Sequence, residues 1–333
     1  MNESGARKKT ISGREAMNAF GHERTPFLFV LDFDVQKPIV RHLSEIEPRS
    51  LRFDIQGFAN VAPMRVASTP RVELEKTPIS ISGYEAAFQK VIAELLYGNS
   101  FLLNLTFSTP VRINLSLEEI FTYSEARYKL YMQDRFVVFS PETFVQIRNG
   151  KISSFPMKGT IDAAIPDAER KILENPKETA EHTTIVDLIR NDLSMVARDV
   201  HVDRFRYVEA VRTNQKTLLQ VSSGISGQLP DDYHSRLGDI IYTLLPAGSI
   251  SGAPKKKTVE IIKNIEPHDR GYFTGVFGYY NGEDLDCGVM IRFIEKQGDR
   301  FIFRSGGGIT AQSVLEEEYQ EMLDKVYVPI PGS

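Results

Sequence analysis

A single cysteine, Cys287, occurs among the 333 residues, so no disulfide can form within the chain. That fits the reducing cytoplasm, which is the expected location. Neither sign of charge is in excess. Forty Lys and Arg stand against 44 Asp and Glu, a net charge of −4, so bulk electrostatics do not point to nucleic acid. No apolar run approaches the ~20 residues of a spanning helix, and no membrane partner is expected. The opening stretch, Met1 to Lys9, is polar, and no signal-peptide apolar segment follows it. Low-complexity blocks, coiled-coil heptads and Gly/Ser linkers are missing as well. What remains is an ordinary globular composition, 41% apolar and 25% charged, long enough for one large domain or two smaller ones.

Within that chain, Phe27 to Phe33 reads as a buried strand. Ser82 and Glu85 predict a capping box for a helix carrying Phe88, Val91, Ile92, Leu95 and Leu96 on one face, with Gly98 as its stop. Ser116 and Glu119 predict a second capping box. Strand-like runs at Arg135–Phe139 and Phe144–Ile147 precede a hairpin turn, Arg148-Asn149-Gly150-Lys151. Asn175-Pro176-Lys177-Glu178 reads as N-cap, proline at the first helical position and an acid behind them. Helices are expected near Leu237–Leu245, Lys256–Ile265 and Leu315–Val326. Cys287 lies in a strand-like run and reads as a packed thiol. Hairpin turns favour antiparallel sheets, so the fold class is α+β.

Several clusters carry chemistry. In Pro156-Met157-Lys158-Gly159-Thr160, a turn-forming proline and a glycine can fix a lysine in place, and a partly desolvated lysine becomes a nucleophile. The same residues also describe a solvated turn. Glu178 and Glu181 share a helix face, and Glu318 and Glu321 repeat the spacing, a pattern that can hold a hard cation such as Mg²⁺ through oxygen. Glu178 also reads as a capping acid, and Glu316 to Glu318 as a solvated acidic run. The small residues of Leu245–Lys255, Ser249 among them, form either an anion seat ahead of a helix or an ordinary connection. Gly306, Gly307 and Gly308 turn amides toward an anion, or form a flexible turn. Arg292 has strand-like neighbours and suits a carboxylate or a surface ion pair.

Taken together, and in order over residues 80 to 328, these segments resemble the chorismate-binding enzyme family. The runs are Ser140-Pro141-Glu142; Pro156 to Thr160; Glu181-His182 with Val186 to Leu193; Gly248 to Lys255; Arg270-Gly271; Ile291-Arg292; and Gly306 to Ile309 with Glu318 and Glu321. The resemblance implies the chorismate-binding fold, antiparallel sheets packed face to face and flanked by helices. Residues 1–80 would be a shortened N-terminal part of the same unit, and 81–330 the catalytic core.

Within the family, Lys158 is similar to the lysine of aminodeoxychorismate synthase component I, where anthranilate synthases usually carry alanine. The resemblance then implies Mg²⁺ held by Glu181 and Glu321, with Glu178 and Glu318 nearby. Glu142 would protonate the departing C4 hydroxyl of chorismate, and Lys158 would attack C2 to give a covalent intermediate. Ammonia would enter at C4, expel Lys158 and yield 4-amino-4-deoxychorismate, the step toward p-aminobenzoate and folate. Substrate would be held by Arg292, the Gly306 to Gly308 amides, Ser249 and Thr160. His182 either joins these contacts or packs. A separate glutamine amidotransferase would supply ammonia, since no glutaminase is expected within the chain.

Leu102 stands where relatives carry glutamine, or a lysine in the isochorismate-forming branch, which weighs against water as nucleophile. Gln220 replaces a frequent histidine and Phe273 a frequent tyrosine. The leucine-leucine-glutamate-serine element of tryptophan-regulated relatives is not found, so inhibition by tryptophan is not expected. The competing readings are anthranilate synthase component I, an isochorismate or salicylate synthase, and a non-catalytic subunit that binds chorismate or the glutaminase.

Overall fold

The computed structural model describes residues 11–62, 69–212 and 217–331. The polar opening, Met1 to Lys9, lies outside them. Among the described residues, the backbone forms two nine-stranded sheets whose ladders all run antiparallel.

The strand Phe27–Leu31 shows how the layers arise. Successive side chains point to opposite faces, and all five are buried. Phe27, Phe29 and Leu31 pack with Met17, Ile185, Ile189, Leu237 and Ile241, which belong to helices. Leu28 and Val30 face the other way, into a layer shared with Phe53, Leu130 and Phe293 of the second sheet. Beyond the second sheet, Leu103, Leu105 and Phe107 meet Tyr84, Phe88, Val91, Ile261 and Met322 of three further helices. The order is therefore helices, sheet, sheet, helices. This is the α+β sandwich that the hairpin turns and the resemblance predicted. No helix among the described residues is long and apolar enough to cross a membrane.

Local signals mostly act where they were read. Ser116 and Glu119 form a reciprocal capping box, Asn175 accepts from the Glu178 amide ahead of Pro176, and Lys151 pairs with Arg148 across the hairpin. Cys287 is buried in the strand Leu285–Val289, its thiol donating to Val145 O at 3.2 Å. The helix expected to start at Ser82 begins two residues earlier. Ser80 caps it by accepting from Gly83 N, because its hydroxyl reaches the third amide of a helix running Ile81–Leu96.

Three motif segments differ from their sequence reading. Lys158 stands in a strand, Met157–Asp162, at the end of the first sheet, and not in a turn. Gly159 has φ +81° and the ladder shifts register between Met157 and Thr160, so a bulge re-aims the lysine. Gly306 to Gly308 are likewise no turn. They extend the strand Arg300–Ile309, paired with Leu102–Ile113, where a Cβ on Gly306 would meet Leu105 O at 2.2 Å. Arg292 lies between strands with φ +53°, an uncommon conformation for a residue with a side chain.

Two stretches carry the chain from one sheet to the other. Strand Phe136–Ser140 lies in the second sheet and Thr143–Arg148 in the first, which leaves Pro141 and Glu142 as the crossing. Strand Leu285–Val289 lies in the first and Phe293–Gln297 in the second, with Met290 to Arg292 between. The crossings are tied to each other's ends: Val289 N donates to Glu142 O at 3.0 Å, and Phe139 N to Arg292 O at 3.0 Å.

Candidate active site

A cleft of about 210 Å³ opens where these crossings meet the edge strand of Lys158 and the glycine strand. Glu142, Lys158, Thr160, Ser249, Arg292, Gly306, Gly308 and Glu321 all line it. Residues as far apart in sequence as Glu142 and Glu321 are thus brought together much as their motif order implied.

Each wall has a physical reason. A Cβ on Gly308 would stand 3.0 Å from Lys158 Nζ and 3.1 Å from Leu102 Cδ1, so glycine leaves the lysine its room. A Cβ on Gly307 would stand 3.4 Å from both Glu318 Oε2 and Glu321 Oε1, and one on Gly159 3.0 Å from Glu178 Oε2. The glycines thus let strands approach two acidic helices, Pro176–Ser194 and Leu315–Asp324. Lys158 Nζ lies 3.6 Å from Glu181 Oε2. Lys325 Nζ lies 2.5 Å from Glu321 Oε1 and donates to Gly306 O at 2.8 Å.

Lys158, Arg292, Arg304 and Lys325 set four cationic side chains around the cleft, against the carboxylates of Glu142 and Glu321. Arg304 is engaged by Glu295 and Ser108. Arg292 lies against the Tyr327 ring, 5.5 Å from its centroid, with its buried Nε unbonded. The balance suits a small anion. Burial raises the Glu142 carboxyl above the usual carboxylate range, against the lowering pull of the Ser249 hydroxyl and of Lys158, Arg292 and Lys325. Burial lowers Lys325 from the usual lysine value, while Glu321 opposes the shift.

His182 is placed elsewhere. It is 1% exposed, its Nε2 is 2.7 Å from Ser223 Oγ, and its ring packs edge-on to Phe205. Burial holds it down to about 4, with Arg206 and Lys158 adding to the shift. Of the two expectations for His182, packing is the one its position matches, because the helix turns it away from the face that carries Glu181. Glu178 is not the reciprocal acid of a capping box; its side chain faces Gly159. Glu318, 3% exposed, is no solvated face either: it accepts from Ser313 Oγ at 2.7 Å.

Two members were not read from sequence. Lys325 falls four residues after Glu321, a spacing that could have exposed it. The hydrogen bond from Ser249 Oγ to Glu142 Oε1 joins segments 107 positions apart and left no sequence signal.

Residues 26–331 match the family model for chorismate binding enzyme. The chain belongs to the chorismate-binding enzymes. An uncharacterized PabA-like protein of Pasteurella multocida is 52% identical over 313 residues, 94% of this chain and 97% of that protein. Aminodeoxychorismate synthase component 1 of Salmonella typhimurium is 32% identical, covering 90% of this chain and 67% of the relative. Anthranilate synthase component 1 of Archaeoglobus fulgidus is 29% identical over 90% of this chain and 72% of the relative. Among solved structures, a 2,3-dihydroxybenzoate-specific isochorismate synthase of Bacillus anthracis superposes with a TM-score of 0.70 at 21% identity, covering 95% of this chain and 87% of that one, a likeness of fold. The α+β sandwich is thus the chorismate-binding fold.

A divalent cation is part of what the resemblance implied, and carboxylates are the ligand type that one would take. One helix sets Glu178 against Gly159 and the other sets Glu318 and Glu321 against Gly307, carboxylate oxygens of the kind suited to Mg²⁺. Among the described residues no three or more His, Cys, Asp or Glu side chains stand close enough together to hold a metal ion. Lys158 and Lys325 instead provide counter-charges on Glu181 and Glu321.

Proposed function

We propose that this chorismate-binding enzyme is an aminodeoxychorismate synthase component I, converting chorismate and ammonia to 4-amino-4-deoxychorismate. The observation that carries the reading is an amine and an acid lining one cleft, Lys158 on the edge strand and Glu142 on the sheet crossing. Burial raises the Glu142 carboxyl from its ordinary value, which favours the protonated form that a donor to a departing hydroxyl needs. As the C4–O bond breaks and water leaves, Lys158 Nζ, having given up its ammonium proton, forms a bond to C2. Ammonia then bonds to C4 and the electron pair returns to Lys158 Nζ, which is released. Arg292 and Lys325 supply the positive charge that a dianionic substrate requires. Leu102, apolar and beside Lys158, gives water no activating partner. Glu178, Glu181, Glu318 and Glu321 would hold Mg²⁺, whose charge would draw electron density from the ring through its carboxylate. A glutamine amidotransferase would deliver ammonia, as the "component 1" of the Salmonella relative's name suggests.

Purified protein, chorismate, Mg²⁺ and an ammonium salt form the direct test, with products identified by mass and chromatography. Aminodeoxychorismate without pyruvate is expected. Anthranilate with pyruvate would overturn the reading in favour of the tryptophan branch. No product, even with a glutaminase added, would leave a binding subunit.

Glu142→Gln is expected to lower kcat about 10²-fold with little change in KM, the loss typical of a missing general acid. The sign of the pH dependence follows from its proton-donating role. Activity falls as pH rises through the raised pKa of Glu142, and that alkaline limb disappears in the variant. A limb that persists in Glu142→Gln would assign the proton to another group.

A further inference from the structure

We propose that Ser249 is a positioning residue for Glu142, holding one carboxyl oxygen so that the other faces the departing group. The inference rests on the reading of Glu142 as the acid. It assigns Ser249 a different task from the substrate contact that the sequence suggested.

The contact is built from both sides. Ser249 Oγ donates to Glu142 Oε1. The serine lies in a single helical turn, Gly248–Ser251, that is itself pinned. Ser251 Oγ donates to Ala247 O at 2.8 Å, and Arg270 Nη1 donates to Ile250 O at 2.8 Å. Glu142 is fixed independently. Its amide donates to Ser140 Oγ at 3.2 Å and its carbonyl accepts from Val289 N at 3.0 Å. Two rigid backbones therefore set the pair, and packing dictates which oxygen the serine takes.

A carboxylic acid carries its proton on one oxygen, and the other can only accept. With Oε1 accepting from Ser249, the proton resides on Oε2. In the reaction the Oε2–H bond breaks, the proton passes to the C4 hydroxyl oxygen, and that oxygen leaves as water with its bonding pair. The serine bond also stabilises the carboxylate that remains, which makes Glu142 a more willing donor. Lys158, Arg292 and Lys325 face the same carboxyl from the edge strand, the other crossing and the end of the last helix. Glu321 lines the same cleft, and the Asp192–Lys255 pair, at 2.8 Å, lies behind the turn of Ser249.

The test compares Ser249→Ala and Ser249→Thr with the unaltered protein. Steady-state kinetics with chorismate and ammonium are run across pH. Separately, the Glu142 carboxyl is titrated without substrate by difference infrared spectroscopy, using Glu142→Gln to assign its band. Ser249→Ala is expected to lose about tenfold or more in kcat at nearly constant KM. Its alkaline limb and its carboxyl titration should both move up by about one unit, a tenfold change in proton affinity. Ser249→Thr, which keeps the hydroxyl, should restore both. An unmoved titration in Ser249→Ala, or a loss confined to KM, would overturn the proposal. If the unaltered protein turns over no chorismate even with a glutaminase added, the proposed function fails, while the infrared titration still decides whether Ser249 governs Glu142. If the alanine variant does not fold, the threonine variant decides: a hydroxyl that leaves the titration in place supports the proposal, and a shifted one refutes it.

Discussion

Replacing Lys158 by alanine is expected to abolish the covalent adduct with chorismate and to lower turnover about 10³-fold or more, roughly 4 kcal/mol of lost transition-state stabilisation. Lys158 is presented by a bulged edge strand, with Gly159 at positive φ and Gly308 opposite its amine. On the proposed mechanism, a site assembled so closely around one amine would lose its nucleophile outright when the side chain is truncated. The fold should tolerate the change, because the lysine lies at a sheet edge and not in the packed layers. Intact-protein mass spectrometry after a brief exposure to chorismate reads the adduct, and product analysis reads the rate. Adduct formation or full turnover in Lys158→Ala would remove the lysine from the mechanism.

Glu266→Ala is expected to cost about 3–5 kcal/mol of folding stability. Glu266 and Arg270 form an ion pair at 2.7 Å, each side chain 1% exposed. Glu266 Oε1 also accepts from Thr106 N at 2.8 Å and from Thr106 Oγ1 at 2.9 Å. Truncation strands a guanidinium in the interior and leaves the Thr106 amide without its acceptor, and the penalty of an unpaired buried charge exceeds the net worth of the pair. Arg270 holds two cleft walls at once, through Ile250 O at 2.8 Å and Asn104 O at 2.6 Å, so activity should fall with stability. Urea unfolding gives the direct measurement. A midpoint within error of the unaltered protein would show that water or another side chain takes over the charge.

How much of this was legible depended on whether the determining interaction was local. Ser116 with Glu119 and Asn175 with Pro176 act within one helical turn, and both read correctly. The first long helix was displaced because Ser80 and Ser82 are both competent caps, 3.1 Å apart at their hydroxyls, and only the backbone chooses between them. Gly306 to Gly308 read as a turn since glycine has no strand preference of its own. They are extended because Thr106, Leu105 and Asn104 pair with them. Glu266 and Arg270 are four apart on the chain and could have been paired from spacing, yet Thr106, Asn104 and Ile250, which bond them, come from elsewhere. Motif order identified most of the cleft lining, but not that Ser249 would touch Glu142, nor that His182 would turn toward Ser223. Those contacts are decided by how the two sheets pack.

The positions of Glu142 and Arg292 carry a further consequence. Each occupies a short span between the sheets, and each span is stitched to the end of the other. The Glu142 carboxyl and the Arg292 guanidinium therefore take their separation from the thickness of the apolar interior layer built by Leu28, Phe53, Leu130 and Phe293. Moving one relative to the other requires the two sheets to shear across close-packed side chains, which interiors resist. The chamber works as a vice whose jaws are the sheets themselves, with its gauge set by residues that never meet the substrate.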